Sequence, residues 1–110
     1  MKTQGFDVTE ITGHWRVRWI VIRFDWILRN DGSFVGKCSV LGVPIVRLTG
    51  TWSIEGNTLV AIYNNKLLVN AGAQKDTDTL LEVAQDYFIL VTRKGTRRRW
   101  QRVYDDDHVA

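Results

Sequence analysis

Side chains that could catalyse a reaction are few in this 110-residue chain, and they do not form a recognisable catalytic pattern. His14 lies between a glycine and a tryptophan, His108 lies near the C-terminus, and neither has a serine, cysteine or aspartate at the spacing of a nucleophilic motif. Cys38 alternates in phase with apolar residues, which favours a buried thiol over a nucleophile. No group of His and Cys has the spacing of metal ligands. We therefore expect a protein that is not an enzyme and that carries no cofactor.

The most unusual charge pattern is a run of six cations within the ten residues from Arg93 to Arg102. An acidic run, Asp105 to Asp107, follows directly and offsets part of this charge, which argues against a surface for nucleic acid. In an extended strand Arg98, Trp100 and Arg102 share one face. If Trp100 points inward, the two arginines need a carboxylate, an anionic ligand or an aromatic ring as partner. A structural cation, a contact with an anionic ligand and a contact with nucleic acid all stay open.

The composition indicates one domain with one hydrophobic core. At 110 residues the chain is too short for two cores, and its apolar fraction of 45% is that of a globular protein. A single cysteine allows no intramolecular disulfide, and the sequence shows neither a secretory signal nor an apolar run long enough to span a bilayer. We expect a cytoplasmic protein without a membrane partner.

Short turn signals divide the chain into segments in which apolar and polar residues alternate. Trp15, Val17 and Trp19 would face one way, and Arg16 and Arg18 the other, as in a half-buried strand. The pattern predicts an all-β protein, an antiparallel up-and-down meander of eight or nine strands that is closed or nearly closed into a barrel. The strands are expected at about 13–22, 23–29, 33–41, 45–54, 58–63, 66–70, 78–84, 87–93 and 96–104.

Few segments lie outside this pattern. A single capped helical turn is expected over Asp7–Glu10, because its first and last residues suit a capping box. The one long loop is expected from about Asn70 to Thr77, and residues 105–110 are expected to be a disordered tail. Asp25 is expected to pair with an arginine on an adjacent strand, although a carboxylate held near aromatic rings is the alternative.

Several short motifs together resemble a known family. Gly13–Trp15, which opens the first strand after the capped turn, resembles the G-x-W signature of lipocalin-like, or calycin-type, proteins. The segments Asn30–Phe34, Thr49–Leu59 and Trp100–Val103 are similar to the pattern of small bacterial lipocalin-like domains. The resemblance spans about residues 11 to 104 and implies one barrel domain that holds a small apolar ligand.

The same resemblance implies how one end of the barrel is closed. In the family, the tryptophan of the signature closes the barrel, and an Arg or Lys of the last strand packs across it. Carried to this chain, the tryptophan is Trp15 and the first choice of cation is Arg99. The other candidate cations are Arg97, Arg98 and Arg102.

The interior of an eight-stranded barrel is wide enough either to be filled by side chains or to hold one small molecule. Two functions therefore stay open. The first is a non-enzymatic binding module for a small hydrophobic or amphipathic molecule, an anionic one included. The second is a filled barrel that acts as an interaction or inhibitor protein through its outer surface or a sheet edge. For the binding module, the expected ligand-binding residues are Trp19, Trp26, Phe34, Trp52, Tyr63 and Arg102, with room made by Gly36, Gly50 and Ala61.

One segment has more apolar residues than a single core can use. Ile20, Val21 and Ile22 follow one another, so an extended chain presents apolar side chains on both faces. A homodimer that covers the outward set is the expected consequence.

Overall fold

The computed structural model describes residues 6–64 and 75–104, which form a closed antiparallel barrel of eight strands. The elements are α1 (Val8–Ile11), β1 (Gly13–Trp19), β2 (Ile22–Leu28), β3 (Ser33–Val40), β4 (Val43–Glu55), β5 (Thr58–Tyr63), β6 (Lys75–Val83), β7 (Tyr87–Val91) and β8 (Arg97–Arg102). Each strand pairs with the next in chain order, and β8 closes the barrel by pairing with β1. The predicted all-β, up-and-down barrel is therefore confirmed.

The boundaries differ most where the sequence lacks turn residues. β1 ends at Trp19 because Ile20 and Val21 form a two-residue turn, in which Ile20 has a φ of 47°. Primed hairpin turns need a positive φ, which an isoleucine rarely adopts, so the sequence gives no sign of this turn. The predicted loop up to Thr77 is too long, since β6 begins at Lys75. The predicted strand at 66–70 and the tail at 105–110 lie outside the described residues.

The helix α1 covers one end of the barrel. Asp7 caps it in a complete capping box with Glu10, as the sequence predicts. Ile11 is fully buried and belongs to the core cluster of the barrel. We call this end the closed end and the opposite end, where β1 stops at Trp19 and β5 at Tyr63, the open end.

The core beneath α1 is built of aromatic side chains that point inward from alternate strand positions. Trp15 and Phe88 are fully buried, with ring centroids 4.7 Å apart in an edge-to-face arrangement. Edge-to-face pairs are favourable because the positive ring edge meets the negative ring face. The closed half of the barrel is thus filled by side chains.

Two of the three small residues that were expected to make room for a ligand, Gly50 and Ala61, have other roles in the structure. A Cβ on Gly50 would lie 1.9 Å from the carbonyl oxygen of Ile62 and 2.8 Å from the Phe34 ring, so this glycine lets β4 approach β5. Ala61 is buried in the core cluster. Of the three residues expected to open a pocket, Gly36 alone lines the cavity described below.

Candidate ligand-binding cavity

The open half of the barrel contains a cavity of about 180 Å³. Its wall is mainly aromatic. The aromatic residues that line it are Trp19, Phe24, Trp26, Phe34, Tyr63 and Trp100. They come from β1, β2, β3, β5 and β8, where alternation places each of them on the inner face.

The aromatic rings hold one another in place. Trp100 contacts Phe24 at 5.7 Å and Trp26 at 5.2 Å between ring centroids. Phe34 contacts Tyr63 edge-to-face at 5.4 Å. Because five of the six rings are packed against another ring, this wall is organised before any ligand arrives, which lowers the entropic cost of binding.

Two carboxylates of β6 complete the wall. Asp76 and Asp78 line the cavity, and they are in phase with Leu80, which is buried in the core. The Tyr63 hydroxyl donates a hydrogen bond of 2.7 Å to Oδ2 of Asp76. This part of the cavity is negatively charged, although its surroundings are apolar.

Burial raises the pKa of Asp78 to about 6, and the neighbouring charge of Asp76 adds to this effect, while Arg93 partly offsets it. Burial also raises the pKa of Tyr63 far above its usual value, assisted by the hydrogen bond to Asp76. Tyr63 therefore stays a neutral hydrogen-bond donor at neutral pH.

One donor of the wall is unpaired. The indole nitrogen of Trp100 is buried and has no hydrogen-bond partner among the described residues, and the whole residue is only 7% exposed. A buried donor without an acceptor costs free energy. A ligand atom that accepts a hydrogen bond could remove this cost.

A cation lies beside the mouth of the cavity. The Arg98 guanidinium carbon lies 4.2 Å from the centroid of the Trp19 ring, a cation–π contact. Of the three kinds of partner that an inward Trp100 left open for Arg98, the structure shows the aromatic ring.

Four of the six predicted ligand-binding residues line the cavity, namely Trp19, Trp26, Phe34 and Tyr63. Trp52 and Arg102 do not. Trp52 is buried, and its indole nitrogen donates to the carbonyl of Arg29 in the turn before β3, so it belongs to the packing of the closed half.

Other residues that line the cavity were not among the predicted ligand-binding residues, namely Phe24, Trp100, Asp76 and Asp78. The first two share the alternation of their strands with residues that were predicted, so the same pattern could have identified them. Asp76 lies in the segment where a loop was expected, and Asp78 lies at the start of the strand expected at 78–84. The segment from Asp76 to Thr79 is polar at every position, so hydrophobic alternation gave no signal for either of them.

The closed end is held by Trp15 and Arg102, which corrects the expected pairing with Arg99. The Arg102 guanidinium carbon lies 4.2 Å from the centroid of the Trp15 ring, whereas that of Arg99 lies over Tyr87. Arg99 points to the outer face of β8, because it alternates with the inward Trp100. Arg102 is in register with Trp15 across the β1–β8 pair.

Arg102 also ties the helix to the barrel. Its side chain donates hydrogen bonds to the carbonyl of Gln85 at 2.6 Å, that of Thr12 at 3.1 Å and that of Glu10 at 3.5 Å. The guanidinium approaches so closely to Gly13 that a Cβ there would lie 2.4 Å from it. The glycine of the G-x-W motif therefore makes room for this cation.

The described residues contain neither a cluster of metal ligands nor a helix that could span a membrane. Within 6–64 and 75–104, no group of three or more His, Cys, Asp or Glu could hold a metal ion. None of the helices described for the chain is long and apolar enough to cross a membrane.

An up-and-down barrel with a helix and an Arg–Trp pair at one end, and an aromatic cavity at the other, has the architecture of a lipocalin-like protein. Comparison with solved structures agrees. The crystal structure of a lipocalin-like protein from Bacteroides uniformis matches with a TM-score of 0.68 and 17% sequence identity, over 86% of this chain and 99% of that chain. No protein-family model and no curated protein matches the sequence. The chain thus has a lipocalin-like fold.

Proposed function

We propose that the protein binds one small, mainly apolar molecule in the cavity at the open end of the barrel. The observation that carries this proposal is the cavity of about 180 Å³, which stays unfilled although six aromatic side chains surround it. An apolar cavity of about 150 Å³ is large enough for a benzene ring. The lipocalin-like fold supports the same function, because an eight-stranded barrel that side chains do not fill is wide enough for a single small ligand.

Tryptophan fluorescence provides the test, because Trp19, Trp26 and Trp100 line the cavity. Titration with compact aromatic amphiphiles is expected to give a saturable change, whereas sterols, which are much larger than the cavity, should give none. Leu48→Phe should weaken binding by about tenfold or more, because it adds volume inside the cavity. The control is Leu81→Phe, the same change at an exposed position of β6.

A uniform lack of response to compact, extended and polycyclic ligands would contradict the binding module. So would equal affinities of the Leu48→Phe and Leu81→Phe proteins, since the ligand would then bind elsewhere. Either result would favour the alternative, an interaction protein that acts through its outer surface.

We also propose that a homodimer covers the exposed apolar tips of the β1–β2 and β3–β4 hairpins. Ile20 is 100% exposed and Leu41 is 75% exposed, and Val21, Val43 and Ile45 are exposed beside them. Both tip residues also have a positive φ, of 47° and 54°. Exposed apolar patches mark contact surfaces between proteins, and strained backbone positions cluster at functional sites, so both features favour a contact at these tips.

Ile20→Asn together with Leu41→Asn is expected to convert a dimer into a monomer in sedimentation at micromolar concentrations. Asparagine tolerates the left-handed conformation better than isoleucine or leucine, so the thermal stability of the monomer should not fall. Leu81→Asn, away from these hairpins, should leave the dimer intact. A wild-type protein that sediments as a monomer at high concentration would contradict the proposal.

A further inference from the structure

The two aspartates of the cavity are hard to explain as structural residues. An ionised carboxylate among aromatic side chains loses its hydration, and this loss is costly unless a cation or several donors replace the water. Asp76 receives one hydrogen bond, from Tyr63. The side chain of Asp78 has neither a hydrogen bond nor a salt bridge with any residue in 6–64 or 75–104.

Among residues 6–64 and 75–104, the nearby cations do not neutralise this pair. Arg93 lies in the exposed turn between β7 and β8, and its charge offsets only part of the rise in the pKa of Asp78. Arg98 is stacked on Trp19 at the mouth. The described residues around the inner part of the cavity therefore carry an excess of negative charge.

The rest of the wall suits the same kind of ligand. Aromatic faces attract cations, and this attraction is strongest where water is excluded. The wall has three indole rings, Trp19, Trp26 and Trp100, and indole is the best of the aromatic side chains for this contact. The unpaired indole N–H of Trp100 offers a hydrogen bond to an acceptor atom of the ligand.

From this arrangement we infer that the ligand is a small organic cation, an amine with an aromatic or aliphatic body. Its ammonium group pairs with the carboxylates of Asp76 and Asp78, and its apolar body packs against the aromatic wall. This inference rests on the proposed function and changes the expected charge of the ligand, because an anionic amphiphile would place a third negative charge beside the two carboxylates.

Calorimetric titration at neutral pH with three probes of one shape tests the inference. The probes are 2-phenylethylamine, neutral 2-phenylethanol and anionic 3-phenylpropionate, which share one ring and a short chain. We expect the amine to bind about tenfold or more tightly than the alcohol, and the anion to bind weakest.

Asp78→Asn keeps the shape of the side chain and removes its charge. The variant should bind the amine about tenfold or more weakly, while its affinity for the alcohol should stay within about twofold. Glu55→Gln is the control, since it removes the same charge at the exposed end of β4, outside the cavity. Asp78→Asn should also raise the thermal stability at neutral pH, because the native protein then no longer holds a half-buried ionised carboxylate.

The pH dependence gives an independent readout without any variant. The charged and titratable groups that face Asp78 are Asp76 on the same strand, Tyr63 on β5 and Arg93 after β7. Because the pKa of Asp78 is about 6, the affinity for the amine should be constant above that value and should fall as the pH decreases through it. The affinity for the alcohol should not follow this curve.

Equal or tighter binding of the alcohol or the anion would overturn the inference while leaving the binding module in place. If none of the three probes binds, the inference is also overturned, and the wider ligand panel with Leu48→Phe then decides whether the cavity binds anything. Equal amine affinities in Asp78→Asn and wild type would likewise reject the role of the carboxylate.

Discussion

Trp15→Ala is expected to lower the free energy of unfolding by about 3–5 kcal/mol, as measured by urea denaturation. Trp15 is fully buried, packs edge-to-face on Phe88 and donates a hydrogen bond of 2.8 Å from its indole nitrogen to the carbonyl of Ile11. Its removal leaves a large cavity under α1 and an unpaired carbonyl at the end of the helix. The closed end should therefore open before the rest of the barrel.

Arg102→Ala should cost about 2–4 kcal/mol, because the variant loses the contact over Trp15 and three hydrogen bonds to backbone carbonyls. Arg102→Lys should keep only part of this stability, since the ammonium group of lysine cannot donate to all three carbonyls that the planar guanidinium of arginine reaches. Arg99→Ala is the matched control on the same strand. Its contact with Tyr87 lies on the outer face, so the loss should be about 0.5–1 kcal/mol.

A double-mutant cycle separates the pair from its surroundings. Trp15→Phe with Arg102→Ala should show a coupling energy of about 0.5–2 kcal/mol, whereas Trp15→Phe with Arg99→Ala should be additive within about 0.5 kcal/mol. Additive losses for Arg102, or coupling for Arg99, would show that the cation–π contact does not stabilise the closed end.

The choice between these two arginines shows what the sequence could not predict. The motif Gly13–Trp15 indicated that a cation of the last strand covers the tryptophan, and that part is correct. Which cation does so depends on the register between β8 and β1, where Trp15 pairs with Arg102. These strands are the first and the last of the barrel, so no local turn sets their register. Alternation could exclude Arg99 only if Trp100 was known to point inward, and the sequence left that direction open.

The residues that line the cavity were also predictable only in part. Alternation in β1, β2 and β3 placed Trp19, Trp26 and Phe34 on the inner face, and all three line it. In β6 the segment from Asp76 to Thr79 is polar at every position, so hydrophobic alternation gave no signal there. The two carboxylates that determine the charge of the cavity were therefore the residues that the pattern could not assign to an inner face.

The outer face of β1 and β2 carries a buried carboxylate, Asp25, whose partners are two arginines and a histidine. Asp25 is 3% exposed, and its Oδ1 lies 2.7 Å from Nε of Arg16 and 2.9 Å from Nε2 of His14. Nε of Arg23 lies 3.1 Å from Oδ2. Arg16 is the direct cross-strand neighbour of Asp25, as expected for an arginine on an adjacent strand.

Asp25→Asn is expected to lower the free energy of unfolding by about 2–4 kcal/mol at neutral pH. The amide cannot neutralise the cations that converge on this position. The loss should be smaller than for a fully buried ion pair, because the side chains of Arg16 and Arg23 are 25% and 40% exposed and can recover some hydration. Asp31→Asn, the same change in an exposed turn, is the control and should have a much smaller effect.

The pH dependence of the stability lost in Asp25→Asn identifies the cause of that loss. Burial alone would raise the pKa of Asp25, but hydrogen bonds from Arg16 and His14 and the charges of Arg16 and Arg23 lower it below its usual value of 3.8. The native protein therefore holds its proton less strongly than the unfolded chain, so the ionised carboxylate stabilises the fold above that value. This stabilisation should be lost as the pH falls through the lower pKa of the native state. Urea denaturation of wild type and Asp25→Asn should show a difference that is constant near neutral pH and shrinks in strong acid. If wild type and Asp25→Asn differ by the same free energy of unfolding at neutral pH and in strong acid, the shape of the carboxylate, and not its charge, stabilises this face of the barrel.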